Sequence, residues 1–85
     1  MIEVEVFSSP GCGKCARAKA LLSVVAHELG VDRIHWREVD ILAEMDYAVE
    51  LGIMSTPAIA MDGKLVYTSL PSVKKLRAEL NKRLA

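Results

Sequence analysis

Two cysteines three positions apart, Cys12 and Cys15, are the residues of this sequence best suited to chemistry. A thiolate is a strong nucleophile, and a second thiol one helical turn away can attack the disulfide that the first one forms. They lie in the run Ser8-Ser9-Pro10-Gly11-Cys12-Gly13-Lys14-Cys15. The residues up to Gly11 supply turn chemistry, and from about Cys12 the apolar positions Cys15, Ala18, Leu22, Val25 and Leu29 recur at spacings of three and four. The pair is therefore expected to open a helix directly behind a turn. Unpaired N–H groups and the positive end of the helix dipole favour thiolate there, so Cys12 is the expected attacker. Thiols in such surroundings titrate at roughly 3.5 to 7.5 instead of about 8.5. Cys15 falls on the inward stripe and is the expected resolving thiol. Gly13 adds backbone freedom to the small ring, and the charge of Lys14 favours thiolate or steers an acidic partner.

Other readings use the same residues. A cysteine pair at this spacing can be two small buried hydrophobes, and Lys14 can be a solvated lysine. Cys12 and Cys15 with His27 and His35 superficially resemble a zinc set, but eleven residues separate Cys15 from His27 and seven separate His27 from His35. Those intervals lie outside finger spacing, so no metal site is assigned, and His27 reads as a helix-surface residue and His35 as a strand-face one. A metal or cluster carrier that uses the two thiolates is the second function class, although such carriers follow a βαββαβ order. A binding module without redox chemistry is the third.

The elements that must position the pair follow from periodicity. Ile2, Val4 and Val6 alternate with Glu3 and Glu5 before Phe7, which predicts a strand over 2–7. The helix that opens at Cys12 stops at Gly30. A second strand is predicted over Ile34 to Val39, with Ile34, Trp36 and Glu38 on one face. Asp40 is the expected N-cap of a short helix in which Met45, Ala48 and Leu51 face inward and which Gly52 ends. Ala58–Met61 and Lys64–Tyr67 flank Asp62-Gly63, a strong hairpin signal. A last helix from Pro71 or Ser72 places Val73, Leu76, Leu80 and Leu84 on one stripe. Lys75 occupies the place where a capping box would have an acid. The order is βαβαββα, with the first two strands parallel and the last two antiparallel. The expected architecture is an α/β fold with a four-stranded mixed sheet and helices on both faces.

With 85 residues, there is enough chain for one hydrophobic core, and residues 1–85 are read as a single domain. Eleven Lys+Arg balance eleven Asp+Glu, which leaves no basic surplus for nucleic acid or an anionic membrane. The start lacks the basic and apolar regions of a secretory signal, and no run reaches membrane-spanning length, so a cytoplasmic location is expected. Paired cysteines in a reducing compartment point to transient or catalytic use rather than a structural staple.

Together these features resemble the thioredoxin superfamily, and in particular its small glutaredoxin-like or thioredoxin-like redox-active disulfide proteins. The likeness spans essentially the whole chain. Three motifs carry it: the run from Ser8 to Cys15, Gly52-Ile53-Met54-Ser55-Thr56-Pro57, and the Asp62-Gly63-Lys64 hairpin. The resemblance implies a thioredoxin-like fold and dithiol-disulfide exchange, an electron-transport activity that needs no added cofactor. It implies a disulfide-containing protein substrate and a reductase or thiol electron donor as partners. It also implies a cis Thr56–Pro57 bond beside Cys12, with the main chain of Thr56 pairing with an extended substrate segment, as in strand addition. The sequence departs from thioredoxins proper at Gly11, where they carry tryptophan, and at Val6, where they carry a buried acid, so no proton acceptor for Cys15 is identified. Gly13-Lys14, Ser8-Ser9 and Thr68–Ser72 do not match the glutathione-site residues of glutaredoxins, so the resemblance does not extend to glutathione.

Overall fold

A computed structural model describes residues 1–85. The elements are β1 (Ile2–Ser8), α1 (Cys15–Leu29), β2 (Ile34–Asp40), α2 (Met45–Leu51), β3 (Ala58–Met61), β4 (Lys64–Tyr67) and α3 (Val73–Leu84). The strands form one sheet in the order β2-β1-β3-β4. β1 runs parallel to β2, in register from Ile2 opposite Ile34 to Ser8 opposite Asp40, and antiparallel to β3, which is in turn antiparallel to β4. The fold is thus the predicted α/β arrangement, a four-stranded mixed sheet with three helices.

Strand alternation divides the core between the two sheet faces. Ile2, Val4 and Val6 join Ile34, Ile59 and Met61 on one face, packed with Ala18, Leu22, Val25 and Ala26 of α1 and with Leu76 and Leu80 of α3. On the other face Phe7, Val39, Ala58 and Ala60 pack with Ala48 of α2. All four residues of β3 are buried, as an internal strand covered on both sides requires. Phe7 is 0% exposed and its ring meets Tyr47 at 5.7 Å between centroids. Phe7→Ala is expected to cost about 3–5 kcal/mol of stability, because the small cluster under α2 has little else to close the cavity. Denaturant unfolding of the oxidised protein would measure it, and a loss under about 1 kcal/mol would contradict this packing account.

Seven residues of α2 span only about 10 Å, so the helix covers one end of its face. The rest of that face carries charge. His35 Nδ1 lies 2.7 Å from Glu3 Oε2, and Arg37 donates through Nη2 to Glu5 Oε2 at 2.6 Å and through Nη1 to Glu44 Oε2 at 3.3 Å. Glu5 also accepts the Tyr47 hydroxyl, tying α2 to β1. That bond to a carboxylate, helped by burial, pushes the Tyr47 phenol up from 10.0 to about 12. A raised phenol favours the folded state while it stays neutral, so this contribution is full below about pH 10 and is lost as pH rises through about 12. In a Tyr67→Phe background, the remaining phenol should titrate near about 12 by ultraviolet difference absorbance and return toward about 10 in Glu5→Gln. A normal midpoint with Glu5 intact would refute the network.

The structure corrects three local expectations. α1 begins at Cys15 rather than Cys12, with Lys14 at its N-cap and no side-chain cap. Gly11 at φ +76° bends the chain, Cys12 N–H donates to the Ser9 carbonyl at 3.2 Å, and the helical ladder starts when Ala18 N–H reaches Lys14 at 3.0 Å. Gly11 and Gly13 disfavour helix just where the apolar stripe begins, so the turn persists to Lys14. Asp40 does not cap α2. It ends β2 and its Oδ1 accepts Leu42 N–H at 2.9 Å, which starts a turn, while Glu44 precedes the helix without a side-chain cap. Ala48 and Leu51 face the sheet as predicted, but Met45 is 55% exposed and Tyr47 packs inward with them. Ser72 does cap α3, accepting Lys75 N–H at 3.1 Å, and Val73 sits at the rim of its stripe at 37% exposure.

Candidate active site

The C-terminal end of β1 delivers the redox turn. Ser8 closes the strand, residues 9–14 form the turn, and Cys15 opens α1. Cys12 and Cys15 are joined as a disulfide with Cα atoms 5.5 Å apart. Their environments differ. Cys15 is 5% exposed and sits among the buried residues of α1, whereas Cys12 is half-buried and lines an open cleft of about 490 Å³ with Ser9, Pro10, Gly11, Gly13, Lys14 and Thr56. Lys14 and Gly13 are exposed at its rim. The N–H groups of Ala16 and Arg17, in the first turn of α1, donate to no main-chain carbonyl, so the positive end of the helix lies just behind the disulfide.

The opposite wall comes from the segment before β3. Phe7 pairs with Ala58, which sets Pro57 level with the end of β1, and the Thr56–Pro57 bond is cis. Pro57 is buried and Thr56 half-buried. The main chain of Thr56 takes part in none of the loop hydrogen bonds, and its hydroxyl lies 2.7 Å from that of Ser9. The fold therefore brings Cys12, Cys15, Gly13, Lys14, Thr56 and Pro57 to one end of the sheet.

Three polar groups that periodicity could not place lie beside this site. Ser8, the one buried polar residue, donates its hydroxyl to Glu38 Oε2 at 2.8 Å, and Lys19 Nζ, one helical turn beyond Cys15, reaches the same oxygen at 3.1 Å. The hydrogen bond from Ser8 and, second, that from Lys19 hold Glu38 below the usual carboxylate range. Parallel register between β1 and β2 creates this cluster by bringing Glu38 alongside Val6. No spacing in a single segment signals it. The histidines lie elsewhere: His27 and His35 border a cleft of about 530 Å³ with Val31 and Trp36. His27 is twelve residues along α1 from Cys15, about 18 Å of helix. The structure has no group of three or more His, Cys, Asp or Glu side chains arranged to hold a metal ion. No helix is long and apolar enough to cross a membrane.

Comparison with known proteins agrees with this geometry. Residues 2–81 match the thioredoxin domain family. A probable thioredoxin of Methanothermobacter thermautotrophicus is 33% identical over 95% of this chain and 94% of its own length. A thioredoxin of Methanocaldococcus jannaschii is 30% identical over 98% and 96%. A segment of the NADPH-dependent thioredoxin reductase 3 of Arabidopsis thaliana is 37% identical over 64% of this chain but only 10% of that protein. Among solved structures, a thioredoxin from Halobacterium salinarum superposes with a TM-score of 0.82 at 17% identity, covering 99% of this chain and 75% of that one, a likeness of fold. The chain belongs to the thioredoxin domain family, and it is a thiol-disulfide oxidoreductase.

Proposed function

We propose that residues 1–85 act as one domain that reduces protein disulfides, with Cys12 as the attacking thiol and Cys15 as the resolving thiol. The observation that carries this reading is the asymmetry of the pair: Cys12 lines the cleft, and Cys15 is 5% exposed. In the reduced protein the Cys12 thiolate attacks one sulfur of the target disulfide and the other sulfur leaves as thiolate. Cys15 then gives up its proton and attacks Cys12, releasing the second target thiol. Two electrons pass to the target, and the protein ends with the Cys12–Cys15 disulfide.

Lys14 at the rim and the free N–H groups of the first helical turn support a thiolate at Cys12. Gly13 lets the ring close without a side chain in the cleft. The unengaged main chain of Thr56, held by Pro57 on the opposite wall, supports pairing with an extended substrate segment beside the attacked sulfur. A thioredoxin reductase, or another dithiol donor, would return the protein to its reduced form. The likeness to part of an NADPH-dependent thioredoxin reductase favours the first. A reducing compartment such as the cytoplasm suits this cycle.

The test is turnover of insulin disulfides with dithiothreitol, followed by thiol counts before and after reduction. Catalysed reduction together with two thiols that appear only after reductant is the expected result. No acceleration over dithiothreitol alone, with both thiols inert, would instead support a binding module.

A further inference from the structure

Ser9 is bonded to both walls of the cleft at once. Its carbonyl accepts the N–H of Cys12 at 3.2 Å, and its hydroxyl meets that of Thr56 at 2.7 Å across 47 positions of sequence. Either hydroxyl can donate. No other hydrogen bond joins residues 9–14 to residues 53–57. Both hydroxyls are half-buried and both residues line the cleft with Cys12.

We propose that the Ser9–Thr56 hydroxyl pair is a positioning clamp that sets the Thr56 main chain at the height from which a substrate strand presents its disulfide to Cys12, which makes Ser9 a specificity-determining residue for protein disulfides over small ones. The proposal rests on the reading of Thr56 as the substrate-pairing edge. An extended segment must satisfy two constraints together, hydrogen bonds to Thr56 and in-line approach of a sulfur to Cys12, and their relative position depends on how the two loops are tied. Small displacements of a positioning group cost reaction rate disproportionately. A small disulfide needs only the thiolate and the open cleft, so it is far less sensitive to that tie.

Steady-state kinetics of Ser9→Ala, Thr56→Val, the double variant and Thr56→Ser, each with insulin and with hydroxyethyl disulfide, test the clamp. Loss of one neutral hydrogen bond is expected to lower kcat for insulin about fivefold with KM held within about twofold, because the segment still binds but presents its sulfur out of line. The ratio of kcat/KM for insulin to that for hydroxyethyl disulfide should fall by about the same factor. Because both single variants break the same bond, the double variant should lose no more than the worse of them. Thr56→Ser keeps the hydroxyl and should stay within about twofold of wild type. Equal losses with both substrates, losses that multiply in the double variant, Thr56→Ser as impaired as Thr56→Val, or no change in Ser9→Ala would each overturn it. Insulin reduction that survives in Cys12→Ser would instead overturn the function proposed above, so the two failures are distinguishable.

Discussion

Replacing Cys12 with serine is expected to abolish reduction of a protein disulfide, lowering the rate on the order of a thousandfold or more. The size of the effect follows from the chemistry. A serine hydroxyl is essentially un-ionised at neutral pH and cannot form the mixed disulfide, and no other group can replace it, because Cys15 is 5% exposed and does not line the cleft. The fold should survive the change, since Cys12 lies in the turn ahead of α1 and outside both core clusters. Insulin reduction assays paired with thermal unfolding of the reduced proteins check both halves. A variant that unfolds no earlier than reduced wild type yet retains a tenth of its activity would show that another nucleophile does the work.

Replacing Cys15 with serine should produce a different defect of comparable size. Attack by Cys12 needs only its own thiolate, so the first step continues. The second step loses its intramolecular nucleophile and with it the large effective concentration that one helical turn of separation provides. The variant should therefore stall with its substrate attached, and net turnover without added small thiol should fall by about a hundredfold or more. Non-reducing electrophoresis and intact mass would show one substrate thiol bound per molecule of protein, released by dithiothreitol. Fast turnover with no adduct would remove Cys15 from the cycle. The proton that Cys15 gives up has no acceptor at Val6, and Lys19, one helical turn along α1, is paired with Glu38. Within that pair the two charges offset each other.

Much of this arrangement was legible in the sequence. Alternation in β1, the three-and-four spacing after Cys15 and the Asp62-Gly63 pair each encode their geometry locally. At the hairpin, Asp62 and Gly63 take φ values of +51° and +81°, the left-handed values such a turn demands. The element order then followed, because a helix between β1 and β2 imposes parallel strands and a tight turn between β3 and β4 imposes antiparallel ones. The boundaries set by competition were less legible. At Cys12 the apolar stripe argues for helix while Gly11 and Gly13 argue against it, and the glycines win until Lys14. At Asp40 the side chain that suits an N-cap is taken by Leu42 N–H, and α2 starts later. The long-range polar contacts were not legible at all. Ser9 with Thr56, Ser8 with Glu38 and Tyr47 with Glu5 are brought together by strand register and helix placement across 47, 30 and 42 positions, and nothing in either partner's own segment announces the other.

The central claim is that Cys12 is the attacking thiol, and the pH dependence of alkylation in the reduced protein tests it most directly. With iodoacetamide at increasing pH and quantitation of each cysteine by mass spectrometry, Cys12 should react first. Its midpoint should lie below the ordinary thiol value of about 8.5, while Cys15 stays protected until the fold opens. Equal reactivity of the two cysteines with a midpoint near about 8.5, or faster modification of Cys15, would contradict the account.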